Sequence, residues 1–247
     1  MNTDFITALK KGAQTQTENR YYCLPAEVVG VANLDKGVID VKPIIERVYD
    51  DGSVNEVPTI LSVPIAHPHT RNSAIMLPVN QGDSVLLVFS QRDISAFKGG
   101  ARSSHEPETR RVHDLNDAFA ILGISPLEES PYASQQHSLP HSTSDVVVVH
   151  NLGSSNENEV RLKRNGDIEL TTPNNFVVNA KTAQFNVDKL INTGDNIVEG
   201  DSTVNSNQTV NGMTNLVGGG VAKGISLEQH RHHYTDDGND MITDPPQ

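Results

Sequence analysis

The sequence predicts an all-β chain, with a small closed barrel in its first half and a repetitive, β-helix-like ribbon in its second that one copy cannot stabilise. Three observations predict it. Short β-type runs broken by turn residues fill residues 21–90, a period-two alternation takes over after residue 144, and from Val198 one aliphatic residue recurs at every sixth position.

Composition sets the outer limits. The 247 residues suggest one or two domains, and 36% are hydrophobic. With glycine counted in and tyrosine out, about 41% is apolar, below the roughly 45–50% of ordinary globular chains. Part of the chain is therefore expected not to fold alone. With 19 basic and 31 acidic residues the net charge is -12, the wrong sign for neutralising phosphates, so no nucleic-acid partner is expected. The single cysteine, Cys23, excludes an intrachain disulfide framework and a Cys-rich zinc module. The first thirty residues hold no apolar run long enough for a signal-peptide core, and nothing later approaches 18 apolar residues in a row. The expectation is a soluble chain made in the cytoplasm.

Residues 1–19 read as an N-terminal helix or arm. Phe5, Ile6 and Leu9, with Asp4 or Thr3 as cap, make one short helical stripe before a polar stretch, either a helix docking on a neighbour or a frayed terminus. The β-type runs follow: AEVVGVA, then GVIDVKPIIERVYDDGSVNEVPTILSVPIAH, then AIMLPVNQGDSVLLVFS. Asp51-Gly52 signals a hairpin because those residues accept positive φ, and Gly82-Asp83 marks a second turn. About five strands in about 70 residues suit a small barrel of OB or SH3-like type, between which periodicity does not choose. Residues 93–123 carry the densest basic cluster, Lys98, Arg102, Arg110 and Arg111, and read as a solvated loop closed by the short apolar segment Ala118 to Leu122. Residues 124–143, with Pro126, Pro131 and Pro140, read as an extended connector at a domain boundary.

Beyond the connector, residues 141–247 hold 15 Asn but two Phe and one Tyr. VVVVH, EVRLKRNGDIELTT and NFVVNAKTAQFNVDKLIN alternate with period two, so each strand has one apolar and one polar face. Val198, Val204, Val210 and Leu216 then lie six residues apart, separated by Gly, Asn, Ser and Thr. At roughly 25 cal/mol per Å2, such a row does not offset about 1–2 kcal/mol of backbone entropy per residue in a monomer. Three identical chains wound about one axis would bring the inward valines together and give every strand edge a neighbour.

Near the end, His230, His232 and His233 follow the glycine-rich GGGVAKG. In an extended chain His230 and His232 point to one side and Arg231 away. A threefold axis would multiply two imidazoles to six nitrogens, an octahedral set suited to Fe(II) or a similar ion rather than to four-coordinate zinc. His67-Pro68-His69 has the same spacing but reads as a solvent-exposed turn, and Asp236, Asp237 and Asp240 fit no EF-hand loop. No nucleophile elbow, P-loop, dinucleotide fingerprint or zinc-protease motif occurs, and Glu128 and Glu129 read as solvated charge, so no enzyme is expected.

Taken together, VPTILSVPIAHP, MLPVNQGDSVLLVFSQRDISAF and RRVHDLNDAFAILGISP resemble the N-terminal OB domain of the baseplate central spikes of contractile-tailed bacteriophages, also called membrane-piercing tail needles. GISLEQHRHHYTDDGNDMITDPPQ resembles their tip, where a His-x-His close to the C-terminus coordinates iron on the trimer axis. The resemblance implies an OB-fold collar (20–123), a connector (124–143), an intertwined triple-stranded β-helix shaft formed in a homotrimer (144–225) and a metal-bound tip (226–247). It implies one Fe2+ per trimer, held by His230 and His232, with His233 an extra histidine beside the motif. The partners it implies are other baseplate hub and tail-tube proteins, through the OB domain, and the host outer membrane that the virion's tail tip breaches as the sheath contracts. Some relatives carry a lysozyme domain between collar and shaft, and a connector of about 20 residues leaves no room for one. Two other classes fit less well. A glycan-degrading tail spike needs paired carboxylates in a groove and a longer repeat, and an OB-fold nucleic-acid binder needs a basic groove with stacking aromatics, against 4% aromatic residues and no Trp here.

Overall fold

In the computed structural model, residues 6, 7, 12, 20–49, 52–223, 225–226 and 229–244 are described. Of the expected N-terminal helix, Ile6 and Thr7 are helical, while Phe5, Leu9 and the caps Thr3 and Asp4 lie outside the described residues, as does Asp51 of the predicted hairpin turn.

Strict alternation of buried and half-buried positions builds a barrel. In β2 (Val38–Pro43) Ile39 and Val41 point inward, and in β6 (Ser84–Phe89) Val85, Leu87 and Phe89 do. They meet Ala26 and Val28 of β1 (Cys23–Gly30) and Ile60 and Val63 of β5 (Ile60–Ala66). Between β2 and β5 a small side hairpin joins β3 (Arg47–Val48) to β4 (Val54–Asn55), with Gly52 at φ 78° in its turn. The barrel closes through β7 (Ala118–Ile121), whose Ala118 and Ala120 are fully buried. The order is β1-β2-β5-β7-β6, antiparallel throughout except for the parallel pair β5·β7, with β6 returning to β1. This five-stranded Greek-key closure is OB-like. A bulge between Val28 and Gly30 sets Gly30 against Asp40, where a Cβ would stand 2.8 Å from the carboxylate oxygen.

One expectation is corrected here. The fifth barrel strand does not come from residues 21–90 but from Ala118–Ile121, which the local pattern presents as the closing segment of a solvated loop. Four residues, Ala-Phe-Ala-Ile, are too short to display a period, and the parallel partner lies more than fifty residues upstream, so no local signal marks the strand.

After the barrel, β8 (Val146–His150), β9 (Asn158–Leu162) and β10 (Ile168–Thr171) form an antiparallel sheet in the order β10-β9-β8. The two-residue period is as the sequence predicts, but the faces are used in an unusual way: Glu159 and Arg161 are buried, whereas Val146, Val148, Ile168 and Leu170 are 61–69% exposed. From residue 172 to 220 no strand forms within the single chain, so the alternating segment after Pro173 has no intrachain ladder. An extended segment without a neighbouring strand has no ladder of hydrogen bonds to hold it. Val198, Val204, Val210 and Leu216 are exposed to nearly the same degree, 52–55%.

The chain divides into two units, residues 1–178 and 179–247. The second contains the two-residue strands β11 (Val221–Ala222) and β12 (Ile225–Ser226), and a hairpin of β13 (His233–Asp236) and β14 (Asn239–Ile242). Asp237 and Gly238, at φ 50° and 83°, make its turn, as the two-residue hairpin geometry requires. Among the described residues no helix is long and apolar enough to cross a membrane.

Candidate functional site

The predicted ligands lie just ahead of the C-terminal hairpin. The His232 N–H donates to Thr243 Oγ1 at 3.0 Å, and the Thr243 N–H donates to the His232 carbonyl at 3.0 Å. The hairpin pairing thus extends beyond β13 and β14 and fixes the backbone at His232. The His230 N–H donates to the Ser226 carbonyl at 3.1 Å. The two imidazoles come together, with ring centroids 5.1 Å apart and planes nearly perpendicular at 86°. Imidazole nitrogens suit a first-row transition ion. Among the described residues of one chain no group of three or more His, Cys, Asp or Glu is gathered for a metal, so a six-nitrogen shell needs three copies. His233 opens β13, where strand alternation turns it to the side opposite His232. Asp237 belongs to the hairpin turn, and Asp240 accepts a bond from Thr235 Oγ1 at 3.3 Å.

The comparison pair behaves similarly. His67 and His69 bring their ring centroids to 4.9 Å, with His69 Nδ1 3.0 Å from the His67 carbonyl, in the loop between β5 and β6. Two-residue spacing gathers imidazoles in both places, so the spacing alone does not single out a metal site.

Two ionic clusters, neither visible in the sequence pattern, hold the framework together. In the barrel, Arg111 is not a solvated member of the basic cluster. Its guanidinium donates to Asp117 from Nε (3.1 Å) and Nη2 (3.0 Å), and Nη2 also reaches Asp93 at 2.6 Å and Ser95 Oγ at 3.0 Å. Asp93 and Asp117 are 5% and 1% exposed. Hydrogen bonds from Thr109 and Ser95, with the Arg111 charge beside them, hold the Asp93 carboxyl well below the usual carboxylate range. These bonds tie the excursion between β6 and β7 to the barrel, so that β7 can complete it.

In the connector, short 3-10 turns at Leu127–Glu129 and Ser134–Gln136 lead into a second cluster. Glu157, 2% exposed, accepts bonds from the Ser138 N–H (2.7 Å), Ser138 Oγ (2.8 Å) and the Gly153 N–H (2.8 Å), with His137 Nδ1 at 3.3 Å. Burial pushes this carboxyl up, but the hydrogen bonds from Ser138, Gly153 and His137 outweigh it and lower it to about 2. The His137 ring stacks on His141 at 3.9 Å. Arg161 pairs with Glu159 at 2.9 Å and donates to the Pro140 carbonyl. Gly153 is required twice: its φ is 72°, and a Cβ would stand 2.7 Å from the Gln136 carbonyl. The connector is therefore bonded to the face of the β8–β10 sheet on which Glu159 and Arg161 lie beside Val147 and Val149. Glu128 and Glu129 remain exposed in the first of its turns.

Residues 24–123 match the family model of the phage protein Gp138 N-terminal domain. The matched span contains the closed barrel almost whole, from the second residue of β1 to two residues past β7. No curated protein matches the chain. The match supports a phage structural protein of the baseplate or spike type, and with it a component of the virion.

Proposed function

We propose that this protein is the central spike at the tip of a contractile phage tail, a homotrimer that caps the tail tube and breaches the host outer membrane when the sheath contracts. The observation that carries the reading is the match of the barrel to a phage domain, followed in the same chain by an aliphatic row, Val198 to Leu216, that one copy leaves uncovered. A stiff narrow point requires interchain pairing, and the six-residue step supplies one inward side chain per turn for it. The barrel serves as the collar that meets the hub and tube proteins.

The tip is proposed to close around one iron ion held by His230 and His232 of three chains. The imidazoles must be neutral to bind, so metal retention falls as pH drops and in the presence of chelators. Six ligands leave no open position for substrate, so the ion would be a structural clamp, and the spike has no hydrolase activity of its own. Sedimentation equilibrium with elemental analysis tests the proposal. A particle near three times 26.8 kDa with about one metal per three chains is expected. A folded monomer would end the reading. A ratio near one metal per chain would move the metal away from a shared tip, with His67 and His69 the next place to look.

A further inference from the structure

We propose that His137 and His141 form a one-proton pair, His137 charged and His141 neutral, that latches the connector to the β8–β10 sheet and releases it when the pair gains or loses a proton. All the groups concerned lie within the first of the two units, residues 1–178, so the proposal stands apart from the spike reading and from the number of copies.

The His137 ring is 2% exposed and has an oxygen at each nitrogen. Nε2 lies 2.8 Å from the Pro131 carbonyl, and Nδ1 lies 3.3 Å from Glu157 Oε1. A neutral imidazole carries one N–H and one lone pair, so either tautomer would turn a lone pair toward one of these acceptors. The imidazolium donates to both. Glu157 supplies the opposite charge: its other oxygen accepts from the Ser138 N–H, Ser138 Oγ and the Gly153 N–H, which is the pattern of a carboxylate.

His141 is the opposite case. Its ring stacks on His137, with centroids 3.9 Å apart and planes 9° from parallel. Among the described residues neither of its nitrogens has a hydrogen-bond partner, and both are closed to water. A proton added there would set two cations face to face and bury a second donor without an acceptor. A neutral ring avoids both costs.

The other charged groups around the pair are already matched. Arg161 of β9 is shared between Glu159, at 2.9 Å, and Asp145, at 3.9 Å. Asp145 and Tyr132 line, with both rings, a cavity of about 350 Å3, and Glu128 and Glu129 are exposed on the preceding turn. Glu157 is the carboxylate left to answer His137. The connector reaches the sheet through His137, through Ser138 and through the Pro140 carbonyl that accepts from Arg161. Losing the His137 proton turns a lone pair on the Glu157 carboxylate and loosens this contact. Gaining one on His141 requires that ring to leave its place. A docked state that holds one proton is therefore weakened at both ends of the range, about pH 5–8, in which imidazoles change charge.

The test uses the full chain. Proton–nitrogen correlation spectra of the histidine rings in the wild type at neutral pH, assigned from the backbone, should show both nitrogens of His137 protonated and one of His141. Hydrogen exchange at the Ser138 amide, corrected for the intrinsic effect of pH, should be slowest near neutrality and about tenfold faster or more toward both ends of that range, while exchange in β6 of the barrel stays level. His141→Phe keeps a stacked ring without a titrating nitrogen. It should retain the slow exchange at the acidic end, lose it as before at the alkaline end, and melt no lower than the wild type at neutral pH. His137→Gln should abolish the maximum. A singly protonated His137 under a docked connector, or Ser138 exchange that follows β6 at every pH, would overturn the proposal. Both are read on the wild type, so a variant that fails to fold does not decide the matter. A folded monomer with the expected spectra would end the spike reading and leave this one standing.

Discussion

Asp117 shows how much of the collar depends on single polar side chains. Its carboxylate accepts two bonds from Arg111 and one from the Ile94 N–H at 3.1 Å while being 1% exposed. Asp117→Ala leaves Arg111 Nε and the Ile94 amide without their acceptor, while Arg111 Nη2 keeps Asp93, which should cost roughly 1–3 kcal/mol, read as a lower urea midpoint. Asp117→Asn, which keeps an acceptor for Ile94, should cost less. Glu157 sets a pH dependence. Its carboxyl is lowered from 4.5 to about 2 in the folded chain, so the unfolded chain binds the proton first. The stability it contributes is fully present above about 4.5 and is lost as pH falls toward 2. Asp93, also lowered, acts in the same direction. Thermal midpoints measured from pH 6 down to pH 2 should fall across that window, and Glu157→Gln should flatten the fall. Neither cluster was legible in sequence. Arg111 stood among four basic residues with nothing to distinguish it, and Glu157 lies in a polar Ser-Asn-Glu-Asn run that reads as a loop. Both become special in part through residues 16–20 positions away, Asp93 and Ser95 for Arg111 and His137 and Ser138 for Glu157.

Elements were legible in proportion to their length and to how local their partners are. The six-residue strands β2 and β6 are readable from the sequence as β-type runs, β6 as an unbroken apolar run whose alternate burial only the fold reveals, and so is the β3–β4 hairpin with its glycine turn. The four-residue β7 is not, because its position depends on a parallel partner that a local pattern does not report. The sheet β8–β10 was readable as strands but not as a sheet that buries Glu159 and Arg161 while Val148 and Leu170 stay exposed. Period two states that two faces differ, not which of them is covered. The step of six yields its own prediction at this scale. Val210, 52% exposed in one chain, would lie on the axis of a trimer, and Val210→Asp would place three carboxylates together there. Like charges in a low-dielectric core cost several kcal/mol, so this change should stop assembly. Sedimentation mass and loss of resistance to detergent would report it, and an intact, resistant trimer would refute the axial placement.

For the whole molecule, the proposal of a mechanical spike makes two chemical predictions. Purified protein should clear neither peptidoglycan nor host polysaccharide in a zymogram, and clearing would revive the glycan-degrading class. The double change His230→Ala, His232→Ala should remove the metal while leaving the trimer, since the proposed shaft contacts lie upstream of the tip. The sequence by itself determined the β class, the thin apolar content, the recurrence of one aliphatic residue at every sixth position, and the pairing of two imidazoles across one intervening residue. Those properties are local, because alternation, step length and side-chain direction are set by the geometry of a few consecutive residues. The tertiary structure alone decided that residues 118–121 close the barrel, that Arg111 and Glu157 organise buried charge, and that the sheet buries Glu159 and Arg161. Each of these depends on which distant segments meet, and burial, unlike periodicity, is a property of the folded neighbourhood rather than of the chain.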